Sequence, residues 1–103
     1  MEMSLSFIKE FYYKELKLKD IASMVGYSTS YFSRTFSDTY GASFIEILID
    51  IRIKHAKILL KKSDLTIVEI SEKVGFNNNS YFSVVFKKKT GLSPMQYRNF
   101  YSE

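Results

Sequence analysis

The sequence predicts an all-α fold of seven helices, with two helix-turn-helix units joined by a long central helix. Three observations predict it. The first is an internal repeat. Ile21-Ala22-Ser23-Met24-Val25-Gly26-Tyr27 aligns with Ile70-Ser71-Glu72-Lys73-Val74-Gly75-Phe76 at an offset of 49, and Ser30-Tyr31-Phe32-Ser33 aligns with Ser80-Tyr81-Phe82-Ser83 at an offset of 50. Phe36, Gly41 and Ser43 continue the match to Phe86, Gly91 and Ser93, and the extra residue falls in the turn at 77–79. Two copies are too few for a solenoid, so this is a duplicated module. The second is helical spacing: Leu18, Ile21, Ala22 and Val25, and likewise Ile67, Ile70, Ser71 and Val74, fall at i, i+3, i+4 and i+7, one inward stripe per helix. The third is the scarcity of breakers. One Pro and four Gly in 103 residues leave little room for a loop-rich or all-β architecture.

Taken in order, the first helix covers roughly 4–15, with Ile8, Phe11 and Tyr12 turned inward. The first helix-turn-helix unit covers about 18–40, as helices over roughly 18–25 and 29–40. Gly26 follows the first of these helices and Gly75 its counterpart, where glycine takes positive φ and ends a helix tightly. Ser28, and one of Asn77 or Asn78, can cap the helices that follow. The linker helix covers about 44–62 and opens on the capping box Ser43-x-x-Glu46. The second unit covers about 67–90, as helices over roughly 67–74 and 79–90, and starts on Thr66-x-x-Glu69. The last helix covers roughly 94–101, with Ser93-x-x-Gln96 as its box and Pro94 at the favoured first position. Copy one has Lys17 where copy two has Thr66, so its first helix has the weaker cap.

A chain of 103 residues with 46% hydrophobic content supports the core of one domain. The absence of cysteine excludes disulfides, thiolate catalysis and Cys-based zinc sites, and fits a reducing cytoplasm. The apolar stretch at 44–53 is broken by Glu46, Asp50 and Arg52, so it reads as a buried soluble helix and not a membrane span. Net charge is +4, unevenly placed: residues 1–51 hold five Lys/Arg against seven Asp/Glu, and residues 52–103 hold ten against four. Basic charge gathered in one half suits a polyanionic partner.

A helical wheel at about 100° per residue separates the faces of each second helix. With Phe32 and Phe36 inward, Ser30, Ser33, Arg34 and Ser37 fall on the far side; with Phe82 and Phe86 inward, Ser80, Ser83, Val84 and Lys87 do. These outward sets lack Asp and Glu and carry small polar side chains, which suits close approach to a DNA major groove. Arg34 is the candidate for direct readout, since a guanidinium bonds guanine O6 and N7 together. Asn79 would pair with adenine if it points outward, although the wheel puts it nearer the inner flank. Lys87 and Lys88, in the run Lys87-Lys88-Lys89, adjoin the second face and are candidates for phosphate contact; dipole complementarity at a helix end is the other reading of such a run. At 1.5 Å per residue the linker helix is roughly 28 Å long, against roughly 34 Å between successive major grooves. A single duplex, bent somewhat to fit, is the expected ligand.

These residues resemble the C-terminal DNA-binding domain of the AraC/XylS family of transcription regulators, along nearly the whole chain. The strongest segment is Arg52-Ile53-x-x-Ala56-x-x-Leu59-Leu60, then Ile67-x-x-Ile70-Ser71-x-x-Val74-Gly75-Phe76, then Ser80-Tyr81-Phe82-Ser83-x-x-Phe86-Lys87-Lys88-x-x-Gly91-Leu92-Ser93-Pro94 and Tyr97-Arg98. The resemblance implies a seven-helix fold and a transcription factor, with activation favoured over repression, binding double-stranded DNA as a monomeric domain at a bipartite site. Carried over by position, it points to Ser30, Ser33 and Arg34, and to Asn79, Ser80, Ser83 and Val84. The sequence departs from the family pattern at Val84, where the family often has Arg or Lys; Val84 is expected to touch a thymine methyl or to be nearly silent. The resemblance implies a second domain in most family members, a small-molecule sensor or a phosphorylation receiver, while others stand alone at about this length. With its first helix starting almost at Met1, the chain is expected to be an excised C-terminal output domain, with a two-component response regulator as one such parent. RNA polymerase is a further candidate partner, through the same exposed faces.

Other residues invite blander readings. His55, the sole histidine, is expected to pack or lie at the surface. Glu46 and Asp50 form a solvated i, i+4 pair, and general acid–base work would need a cleft. Arg52 is expected to pair with an acid such as Glu69 or Asp20. Nine Phe and eight Tyr at helical spacing are mostly core, while Tyr31 and Tyr81 flank the outward faces and are candidates for sugar-phosphate contact. No enzyme motif, cofactor motif or metal constellation is present in the sequence. The competing function is a helical adaptor that uses the same faces to bind protein.

Overall fold

The computed structural model describes residues 1–102. Its elements are α1 (Glu2–Phe11), α2 (Leu18–Met24), α3 (Thr29–Tyr40), α4 (Phe44–Lys62), α5 (Ile67–Lys73), α6 (Asn79–Thr90) and α7 (Pro94–Tyr101), with no strand among the described residues. The chain divides into two compact units, Met1–Ile51 and Arg52–Glu103, with the single helix α4 running through the boundary.

In the first unit, Ile8 of α1, Ile21 and Ala22 of α2, Phe32 and Phe36 of α3, and Phe44 and Leu48 of α4 form one buried cluster. These are the inward positions of four amphipathic helices, and burying a side chain of Phe, Leu or Ile size contributes about 1.5–3 kcal/mol. α1 differs from the sequence expectation at both ends. It starts at Glu2 and stops at Phe11, and of Ile8, Phe11 and Tyr12 only Ile8 is fully buried, the two aromatics being half-buried. No glycine marks this end; instead the chain turns on an aromatic cluster. The Lys14 N–H donates to the Phe11 carbonyl at 3.0 Å, the Lys14 ammonium folds back to 5.2 Å from the Phe11 ring, and Tyr12 meets Tyr13 edge-on.

In the second unit, Ile53, Ala56 and Leu60 of α4 are buried, as are Ile70 of α5 and Val74 just after it, Phe82, Val85 and Phe86 of α6, and Tyr97 of α7. Phe86 packs edge-on against Tyr97 at 5.3 Å. One Arg fastens this unit. Arg98 of α7 donates from Nε to the Leu60 carbonyl (3.1 Å), from Nη1 to Leu65 (2.6 Å) and from Nη2 to Ser63 (3.1 Å). The last carbonyls of a helix lack intrahelical partners, and here Ser63 and Arg98 supply them: the Ser63 N–H and hydroxyl both donate to the Leu59 carbonyl.

The caps follow the sequence closely. Thr66 with Glu69, and Ser93 with Gln96, form reciprocal capping boxes, and Pro94 sits in the first turn of α7. Ser28 accepts from the Tyr31 N–H, and Asn78, not Asn77, accepts from the Tyr81 N–H. The Ser43 hydroxyl accepts from the Glu46 N–H, while Lys17 provides no side-chain cap to α2. The turns between paired helices run through Gly26 at φ 81° and Gly75 at φ 108°, torsions that cost an L-residue with a Cβ roughly 1–2 kcal/mol. Gly41 and Gly91 end α3 and α6 in the left-handed region.

Candidate nucleic-acid interface

Each unit holds its second helix by the same means. A polar side chain caps the start, a left-handed glycine ends it, and two phenylalanines one turn apart anchor it. Phe32, Phe36, Phe82 and Phe86 are all 0% exposed, which fixes what each helix turns outward. On α3, Ser30, Ser33 and Arg34 are exposed and Ser37 is half-buried. On α6, Asn79, Ser80, Val84, Lys87 and Lys88 are exposed and Ser83 is half-buried. Asn79, the first residue of α6, is exposed at the start of the helix.

One part of the sequence reading needs correction. The outward face of α3 is not free of acids, because Asp38 is exposed and lies one turn after Arg34. At 100° per residue Asp38 lies as near the centre of the outward face as Ser30 and nearer than Ser33, so it belongs to that face. α6 carries no Asp or Glu at all.

The turn residues brace the first turn of each second helix. Tyr27 meets Tyr31 edge-on at 4.9 Å in the first unit, and Phe76 packs against Tyr81 (6.0 Å) and Phe82 (5.1 Å) in the second. The two turns differ in depth: Tyr27 is 39% exposed and Phe76 only 4%. Phe76 is covered in part by Arg52 of α4, whose guanidinium lies 5.6 Å from the ring centre. Burial pulls the Arg52 pKa below its ordinary value, opposed by the neighbouring Tyr81. The sequence offered no signal for this stacking, since it registers an Arg on a long helix only as a charge. Glu69 is held below the ordinary carboxylate range by the Thr66 N–H and then the Thr66 hydroxyl. His55 is half-buried, and burial followed by the adjacent Lys54 keeps its imidazole below the ordinary value. Among the described residues no group of three or more His, Asp or Glu side chains is placed to hold a metal, and no helix is long and apolar enough to cross a membrane.

Residues 15–99 match the protein family described as "Helix-turn-helix domain". The chain belongs to the AraC-type helix-turn-helix family of transcription regulators. Its AraC-type fold is similar to the C-terminal domain of AraT, a response regulator from Geobacillus stearothermophilus, with 36% identity and a TM-score of 0.94 over 99% of this chain and 85% of that one. It is also similar to the DNA-binding domain of AdpA, a global transcriptional factor solved in complex with a target DNA, with 25% identity and a TM-score of 0.92 over 97% of this chain and 90% of that one. An HTH-type transcriptional regulator in the cgkA 5′ region of Pseudoalteromonas carrageenovora is 34% identical over 103 residues, 99% of this AraC-type chain. The chain spans 60% of that relative's length.

Proposed function

We propose that this chain binds double-stranded DNA sequence-specifically and is the DNA-reading part of a transcription regulator, with α3 and α6 entering successive major grooves of one duplex. The observation that carries the proposal is the pair of rigidly seated helices. Each turns two buried phenylalanines inward and presents hydroxyls, with Arg34 on one and Lys87 and Lys88 on the other, outward. Short side chains let a helix backbone approach base edges, while Arg and Lys supply hydrogen bonds and phosphate neutralisation. The AdpA relative, solved with its target DNA, supports the reading.

In this proposal Ser30, Ser33, Arg34, Asn79, Ser80, Ser83 and Val84 face base edges. Lys87, Lys88, Ser37 and the rings of Tyr31 and Tyr81 face the sugar-phosphate. The parent regulator works in the cytoplasm, carries a sensor or receiver domain, a reading that the similarity to the C-terminal domain of a response regulator supports, and meets RNA polymerase at its promoter.

Selection of bound sites from a random duplex library tests the central claim. The expected product is a bipartite site with half-sites about 10 base pairs apart centre to centre. Binding to it should weaken steeply as salt rises, through counterion release. Recovery of no common sequence, together with salt-insensitive binding to a protein partner, would favour the helical adaptor instead.

A further inference from the structure

The two copies of the module keep Ser30/Ser80 and Ser33/Ser83 on their outward faces and diverge in the half of the helix that follows. At the offset of 50, Arg34 corresponds to Val84, Ser37 to Lys87, Asp38 to Lys88 and Thr39 to Lys89. Across these four positions α3 has one cation and one anion, whereas α6 has three cations and no anion. The same imbalance runs through the units that hold them, residues 1–51 having a surplus of two acids and residues 52–103 a surplus of six bases.

Val84 is the more telling member of the set. It is 66% exposed and follows Ser80 by one turn, with Lys87 and Lys88 one turn further on, so it sits in the middle of the ridge that α6 presents. A β-branched residue at an exposed helical position loses rotamer freedom and gains no burial, so nothing within the fold recommends it there. It also lacks any donor or acceptor for a base edge. What an exposed isopropyl group can meet in a major groove is the 5-methyl of thymine, the one apolar group on the base edges.

We infer that the two units divide the work of binding: α3 discriminates among base pairs through Arg34, while α6 anchors the duplex by its phosphates, its base readout at Val84 limited to an apolar contact with a thymine methyl. The inference rests on the proposal that this chain binds DNA. A bidentate Arg–guanine contact separates right from wrong base by about 10- to 100-fold. Covering one methyl with another is weaker, about two- to fourfold. Each lysine that neutralises a phosphate adds about 0.9 to the slope of log affinity against log salt. Asp38 repels the backbone on the α3 side, at the position where Lys88 attracts it on the α6 side.

The test is a fluorescence-anisotropy titration of the full chain on duplexes carrying the selected site, across a salt series. The proteins are the wild type, Arg34→Ala, Val84→Ala and the double variant Lys87→Ala/Lys88→Ala, all at exposed positions, with circular dichroism to confirm that each is folded. The half-site whose base preference Arg34→Ala relaxes is the one under α3; the other lies under α6. In the wild type, swapping the base pair under Arg34 should cost about 10- to 100-fold and swapping the one under Val84 less than about fivefold. Deoxyuridine in place of thymine under α6 should cost about two- to fourfold with Val84 and nothing with Val84→Ala. The double lysine variant should lower the salt slope by about 1.8 and leave base preference intact.

A guanine preference under α6 as sharp as that under α3 overturns the inference. So does an unchanged salt slope in the lysine variant, which would assign those lysines to the helix dipole. If no duplex is bound in a salt-dependent way, the DNA reading itself falls and the division of labour with it; sharp discrimination in both half-sites sinks the division alone.

Discussion

Replacing Arg98 by Met should cost about 2–4 kcal/mol of stability, and the geometry sets that figure. The guanidinium donates to three carbonyls, at 3.1 Å to Leu60, 2.6 Å to Leu65 and 3.1 Å to Ser63. A hydrogen bond from a charged donor contributes about 1.5–3 kcal/mol. These bonds are only partly buried, so water replaces a share of each, which brings the sum of three down to about half. Methionine keeps the apolar stem, so the loss reports the hydrogen bonds rather than the packing. Arg98→Lys retains the charge but concentrates it on one nitrogen, which cannot span three carbonyls at once, so it should recover less than half of the loss. Urea unfolding followed by far-ultraviolet circular dichroism is the assay, because the chain contains no Trp. The midpoint should fall with the slope unchanged. Amide exchange should quicken around Leu60, Ser63 and Leu65 more than in α1 to α3. A loss under about 0.5 kcal/mol for Arg98→Met, or full recovery by Arg98→Lys, would refute the reasoning and mean that solvent satisfies these carbonyls equally well.

Three further outcomes follow from single residues. Ser71 is 1% exposed and its hydroxyl has no hydrogen-bond partner, whereas the first copy has Ala22 at that position; Ser71→Ala should therefore be neutral or raise stability by about 1 kcal/mol, and Ala22→Ser should lower it by about 1–3 kcal/mol, both measured by thermal melts. Arg34→Ala should cost about 1–3 kcal/mol on the selected site and relax preference at one base pair, whereas equal loss on all sequences would make Arg34 a phosphate contact. Glu69 titrates lower in the folded chain than its ordinary value of 4.5, chiefly through the Thr66 N–H, so its contribution is present above about pH 4.5 and is lost as pH falls through the folded pKa. Gln96 fills the same role in α7 without titrating, so Glu69→Gln should flatten the acid limb of a stability–pH profile, and an unaltered limb would show that the capping bond contributes nothing there.

The sequence made much of the fold legible because its signals are local and occur twice. Leu18-x-x-Ile21-Ala22-x-x-Val25 and its second copy mark an inward stripe, and Ser28, Asn78, Thr66 and Ser93 mark where helices begin, since a cap is a bond over three residues. The outward faces of α3 and α6 were legible for the same reason: once Phe32 and Phe82 are inward, a 100° step places the rest. What was missed depends on distance along the chain or on clustering without period. Arg98 finds carbonyls 33 to 38 residues away, and in sequence it reads only as a cation in a final turn. The position of Arg52 over the Phe76 ring is a tertiary outcome that no spacing encodes. α1 ends at Phe11, where Tyr13 and Lys14 pack against that ring and Tyr12 against Tyr13, a stop without glycine or proline. Asp38 was equally legible, since the same 100° step puts it as near the centre of the outward face as Ser30.

The tight bend at Gly26 has a consequence for chemical protein synthesis. An added Cβ there would meet nothing within 4 Å, while the backbone holds φ at 81°. The barrier to a side chain is thus one of handedness and not of room. A mirror-image alanine prefers that torsion and deprives the unfolded chain of freedom, a contribution of about 0.4–1 kcal/mol. At 103 residues the chain is short enough to assemble from ligated peptides, so a D-amino acid can tighten the bend between α2 and α3 while leaving every genetically encoded side chain in place.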